Sequence, residues 1–263
     1  MIATIKSELI RIKRPSFMYG GWGIMAGFAA LISFFVFESA ADAAGRTGPG
    51  LQFPSLDQLE ATGGFVATLS AVASLVGVVT LAFWAIAAAT DYDTGLIRIL
   101  TQAEPNRLRL LVGKIGALTL YTVIGTFLAT VAATVVAFPS ASATDVSTVL
   151  WSDGFVSEFL AGWFNLTLAS LVWGLVGLAI AVVTRSSGLA IATGIGYLLV
   201  VENLIGIMAE GLSTYLPGST LAALATGGTA DLGYTTALLL AVVYGATATV
   251  GSVMVFRQRE IVS

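Results

Sequence analysis

Apolar residues collect in six long runs: Phe17–Phe37, Gly63–Thr90, Leu108–Phe138, Phe155–Thr184, Gly188–Ala209 and Tyr234–Phe256. Each reaches the ~20 residues that carry a helix across ~30 Å of hydrocarbon. The second, third and fourth are longer, which predicts tilt or helix emerging from the bilayer. The fifth carries Glu202 and Asn203, so the pattern leaves its outer end open. The expected architecture is therefore an all-α integral membrane domain of six spans, one domain over residues 1–263.

The polar segments between the runs predict further elements. Ile2, Ile5, Leu9 and Ile12 recur at helical steps, with Lys6, Arg11 and Lys13 mostly off that stripe. This predicts an amphipathic helix over residues 2–14, lying on a lipid surface with Lys6, Arg11, Lys13 and Arg14 near anionic headgroups. Pro15 breaks it and lets the chain turn into the membrane. The first apolar run, at 21 residues, exceeds the ~7–15 of a signal-peptide core, so a retained helix is expected. The Gly-, Pro- and Ala-rich stretch Ser39–Thr62 reads as an external connection.

The segment Asp91–Lys114 is the most informative. Asp91 and Asp93 mark the end of the second span, and Asp93 is expected to cap a short helix over about Thr94–Gln102. Leu96, Ile97, Ile99 and Leu100 give that helix an apolar side; Arg98, Thr101 and Gln102 give it a polar one. Pro105 stops it, and Asn106 caps the helix that becomes the third span. A short apolar helix at the membrane surface suits a groove on another protein or a resting place on the headgroups.

Charge sets the orientation. With the N-terminus in the cytoplasm, Lys6, Arg11, Lys13, Arg14, Arg98, Arg107, Arg109, Lys114, Arg185, Arg257 and Arg259 all fall inside. Of the 12 basic residues only Arg46 falls outside. The acids Glu38, Asp42, Asp57, Glu60, Asp145, Asp153, Glu158, Glu202, Glu210 and Asp231 fall outside or near the outer ends. An odd number of spans would scramble this separation, so both termini are expected in the cytoplasm of a cell-membrane protein.

Composition agrees. Only 10% of residues are charged, against roughly 25% in a soluble domain. Mean hydropathy is +0.92. The chain has no Cys and no His, which removes thiol nucleophiles, disulfides, soft metal sites and the usual general base. A net charge of −3 gives no basic excess for nucleic acid. None of the three lysines, Lys6, Lys13 and Lys114, stands in a Gly-x4-Gly-Lys-Ser/Thr loop, so ATP hydrolysis on this chain is excluded and no cofactor is expected on it.

The run Asp93-Thr94-Gly95-Leu96-Ile97-Arg98-Ile99-Leu100, with Arg107–Lys114 after it, resembles the region following the second span in permeases of the type-2 ABC transporter superfamily. The N-terminal helix ending in Arg-Pro resembles that family's elbow helix. Tyr215-Leu216-Pro217-Gly218-Ser219, before the last span, and the closing Phe256-Arg257-Gln258-Arg259-Glu260 are further points of likeness. The resemblance covers nearly the whole chain. It implies a coupling helix, built from Asp91, Asp93, Gly95, Leu96, Ile97, Arg98, Ile99 and Leu100, docked in a cytoplasmic ATPase subunit. It also implies two such subunits carrying ATP and Mg, a second copy of the permease or a sister permease, and export. An outer re-entrant helix before the sixth span is expected, which Pro217 and Gly218 suit.

Candidates for contact with cargo are few. Glu202 stands about 15 residues into the fifth span, ~22 Å from its start. There an ionisable group is costly and commonly faces a cavity. It reads either as a polar wall or ion site, with Asn203 beside it, or as a break where the span becomes a re-entrant helix and Glu202 meets water. Trp173 either lines an apolar path or packs. Asn165 either faces cargo or bonds another helix. Gly23 and Gly27, and Ser186, Ala190 and Gly194, are stripes that permit close helix approach, internally or between permeases. Two other functions compete: an ion-coupled secondary transporter using Glu202, and a non-transporting membrane scaffold.

Overall fold

The computed structural model describes residues 2–40, 47–48, 51–104 and 106–258. Asp42, Arg46, Pro105, Arg259 and Glu260, which enter the expectations above, lie outside the described residues, as do the side chains of Glu210 and Arg257.

The described chain is helical apart from a two-residue antiparallel pairing of β1 (Thr47–Gly48) with β2 (Leu51–Gln52). In order, α1 spans Ile2–Ile12, α2 Pro15–Glu38, α3 Leu56–Glu60, α4 Gly64–Ala67, α5 Leu69–Asp93, α6 Leu96–Ala103 and α7 Arg107–Ala143. After a 3-10 turn at Val149–Ser152 come α8 (Phe155–Thr184), α9 (Ser187–Gly196), a π turn (Tyr197–Val201), α10 (Glu202–Met208), α11 (Glu210–Ser213), α12 (Pro217–Ala225) and α13 (Tyr234–Gln258).

Among the described residues five stretches are long and apolar enough to cross a membrane: Pro15–Glu38, Gly64–Asp93, Arg107–Ala143, Phe155–Thr184 and Tyr234–Phe256. This is a multi-pass helical membrane protein. The predicted fifth span, Gly188–Ala209, differs from the other five. It is assembled from α9, the π turn and α10, and ends where Ala209 leaves helical geometry at φ −151°. At 37 residues α7 is about 55 Å long, so it overruns the hydrocarbon.

Small residues decide which helices meet. On α5 and α8 two tryptophans are exchanged. Trp84 of α5 lies over Gly174, and Trp173 of α8 lies over Gly77, each occupying the space a Cβ on that glycine would take. Gly177 comes against the Leu81 carbonyl, so the two backbones nearly touch. Trp84 Nε1 donates to Thr122 Oγ1 of α7 at 3.0 Å, so the buried indole N–H is paired. Helix α2 packs on α7 in the same way, with Gly125 against Met25 and Trp22, and Ser33 Oγ donating to the Ala133 carbonyl at 3.0 Å.

Trp151 is 1% exposed, meets Phe37 and Phe65 at a tilt and Phe138 edge-on, and donates Nε1 to the Leu59 carbonyl at 2.8 Å. Of the two small-residue stripes, Ala190 and Gly194 of α9 turn inward, Gly194 against Leu81. Gly23 and Gly27 meet nothing and lie on the open face of α2.

Candidate functional site

The charged end of the bundle is built by α1, the last turn of α5, α6 and the first turns of α7. Helix α1 lies on α7 because Gly113 and Gly116 leave room for Thr4 and Ile5. This brings Glu8 and Arg11 to Asp91 and Lys114. The four form a closed ring of alternating sign. Arg11 bonds Glu8 at 2.5 Å and also bonds Asp91, while Lys114 Nζ reaches Asp91 at 2.8 Å and Glu8 at 3.1 Å. Lys114 also donates to the Ala87 carbonyl, one turn before Asp91, at 3.0 Å. The Glu8 and Asp91 side chains are 3% and 2% exposed. Two buried carboxylates are tolerable only because each has two cationic partners. Asp91 would otherwise oppose the negative C-terminal end of α5.

Arg11 therefore turns inward, and its expected place among the headgroups is corrected; Lys6, Lys13 and Arg14 are exposed. Glu8 had no role in the sequence reading. Its signal was available: it lies on the same helical face as Ile5 and Ile12, a charge on an apolar stripe.

Helix α6 follows at once. Thr94 and Gly95 alone turn the chain, Gly95 at φ +67°, a conformation that suits glycine. Asp93 is the last residue of α5 and makes no cap for α6; the start at Leu96 has no side-chain cap, which corrects the expected one. Asn106 does cap α7, its side chain accepting from the Arg109 N–H at 3.2 Å. The predicted apolar side of α6 is divided. Ile97 is buried and Leu100 half-buried, both lining a small cavity with Leu110, Leu111, Val182 and Phe256. Ile99 points the other way, 62% exposed beside the exposed Arg98 and Gln102. Leu96 is intermediate.

Neighbouring joints tie this end together. Arg107 donates to the Phe256 carbonyl at 3.2 Å, linking α7 to α13. Arg185, in the turn between α8 and α9, sits 5.7 Å over the Tyr92 ring.

The cargo candidates lie elsewhere and are occupied. Glu202, at the start of α10, is fully buried, so it does not meet water. Its carboxylate accepts from the N–H groups of Gly218 at 3.1 Å and Ser219 at 2.8 Å, and from Ser219 Oγ at 3.4 Å. These are orphan donors of the first turn of α12, where the helix dipole favours an anion. Gly218 leaves room for this contact, since a Cβ would stand 2.5 Å from Glu202 Oε2. Helix α12, buried from Thr220 to Ala225, is thereby stapled to α10 and packed against α5, α8 and α13. Asn203 donates Nδ2 to the Leu198 carbonyl at 3.3 Å across the π turn. Trp173 is 3% exposed and packs on Gly77, so it lines no path in this chain. Asn165 accepts from Tyr234 Oη at 3.0 Å, joining α8 to α13.

No protein-family model matches the chain, and a search of curated proteins gives no match either.

Proposed function

We propose that this chain is the membrane-spanning permease subunit of an ATP-driven transporter of the type-2 ABC class. It crosses the cell membrane six times with both termini in the cytoplasm, the composite α9–α10 helix serving as the fifth span and α12 as the re-entrant helix. It exports a hydrophobic or amphipathic substrate. A second copy or a sister permease completes the path. Two separate ATPase subunits hold ATP and Mg.

The observation that carries this reading is the way α6 is mounted. Ile97 and Leu100 fix one face to the bundle, and the charged ring locks α5, α1 and α7 around it, while Arg98, Ile99 and Gln102 project outward. A rigidly held helix with one apolar residue exposed among polar ones is suited to receive a push from a partner and pass it to α5 and α7. Glu202 is spent on capping α12, so no observation favours the ion-coupled alternative.

The test uses the absence of cysteine from the chain. Ile99→Cys supplies a single thiol for a photo-reactive maleimide in membranes containing a P-loop ATPase encoded beside this gene. The reading expects an adduct with that ATPase that changes in yield when ATP is added. Labelling of lipid alone would contradict it.

A further inference from the structure

At the opposite end of the bundle from α6, a cleft of about 540 Å³ opens between the segment preceding α5, the first turns of α8 and the loop from α12 to α13. That volume is within the usual range of small-molecule sites. Its walls are apolar at Phe53, Pro54 and Val66. Its charged groups are two carboxylates, Glu158 and Asp231, and no Lys or Arg lines it among the described residues. Neither carboxylate makes an ion pair among the described residues.

The cleft is shaped by its backbone. Gly63, at φ +77°, passes so close to Glu158 that a Cβ there would stand 2.8 Å from Oε2. On the other side Gly227 and Gly228 turn with φ of +81° and +110°. Asn165 is held in the wall by its bond from Tyr234. The rest of the lining mixes apolar groups with neutral polar ones, Gln58, Ser70 and Asn165 among them, so the two carboxylates give the cleft a negative potential.

We propose that this cleft is a binding site for organic cations bearing aromatic or alkyl groups. The onium centre lies between Glu158 and Asp231, and the apolar substituents lie on Phe53, Pro54 and Val66. That the cation is cargo rests on the permease reading; that it binds does not.

The probe is tetraphenylphosphonium, with tetraphenylborate as its counterpart of nearly equal shape and opposite charge. Binding is measured by equilibrium dialysis to the full chain in discs of phosphatidylethanolamine and phosphatidylglycerol, empty discs subtracted, with no nucleotide and no ATPase. The expected result is saturable binding of the cation and none of the anion. Glu158→Gln weakens it about tenfold, the more exposed Asp231→Asn somewhat less, and the pair by roughly the product of the two, each tenfold being ~1.4 kcal/mol. Ala161→Trp, which fills the cleft with both carboxylates intact, also removes binding. No saturable binding of the cation, equal binding of anion and cation, or cation binding unchanged in the double variant would each overturn the proposal. Because the assay lacks the ATPase, failure here leaves the permease reading standing, and failure of that reading leaves this result unmoved.

Discussion

Replacing Asp91 by Asn keeps the shape of the side chain and removes one charge from the ring. Asp91 meets Lys114 at 2.8 Å and also bonds Arg11, and its own side chain is 2% exposed. At an effective dielectric near 20 a pair at ~4 Å is worth about 4 kcal/mol before desolvation. Desolvation takes back several kcal/mol per ion, so the intact ring contributes little net stability. Breaking it is another matter. Lys114, only 12% exposed, keeps Glu8 as its one anionic partner, shared with Arg11. Loss of one partner from a fully buried pair costs about 3–5 kcal/mol. Arg11, at 28% exposed, recovers part of this through water, which brings the expectation to about 2–3 kcal/mol. The assay is equilibrium unfolding in mixed micelles, comparing Asp91→Asn, Lys114→Met and the double variant in a mutant cycle. The double variant restores equal numbers of acids and bases, so it should be less damaged than the sum of the singles by at least ~1 kcal/mol. Singles costing under ~0.5 kcal/mol, or strict additivity, would refute the claim that these four residues act as one buried unit.

Further outcomes follow from other joints. Glu202→Gln keeps an acceptor but loses the charge facing the α12 dipole, for a loss of about 1 kcal/mol in the same unfolding assay. Glu202→Ala should cost more, because it strands buried N–H groups. Gly218→Ala should destabilise even with Glu202 intact, because the new methyl group meets Oε2, and pairing it with Glu202→Ala should relieve part of that cost. Trp173→Ala should cost about 3–5 kcal/mol, read by unfolding, as expected for a large core side chain. A near-neutral result there would return Trp173 to the list of path residues.

Much of the topology was legible because it depends on pattern. Five of six predicted runs are long helices, and the ends of α1 and α2 follow from Pro15, which breaks the first and begins the second. Asn106 was readable as a cap because Asn, Ser and Asp carry that role through local bonds alone. Apart from the local Asp93 cap, which fails because Asp93 is still inside α5, the misreadings concern contacts made across long sequence separations. Arg11 looks like a headgroup anchor until α1 is placed on α7 and Asp91 comes within reach, 80 residues away. Glu202 looks exposed to water or cargo until the chain returns 16 residues later to present two backbone donors. The apolar positions of α6 look equivalent by period, yet Ile97 and Leu100 are held by the bundle and Ile99 is not. Only the packed structure separates the residues that hold α6 from those that face outward.

The most direct test of the central claim is ATP turnover in lipid vesicles containing this chain and its candidate ATPase, with Ile99→Asp set against Leu100→Asp. Ile99 is exposed, so its replacement should leave folding within ~0.5 kcal/mol. If Ile99 anchors the proposed ATPase interface, its loss should weaken docking by at least ~2 kcal/mol, about 30-fold. Leu100→Asp places a charge against the chain's own core and should lower its stability directly. Ile99→Asp should give a folded protein with little stimulated turnover. Full turnover with Ile99→Asp, or no association of any ATPase with the wild-type chain, would contradict it.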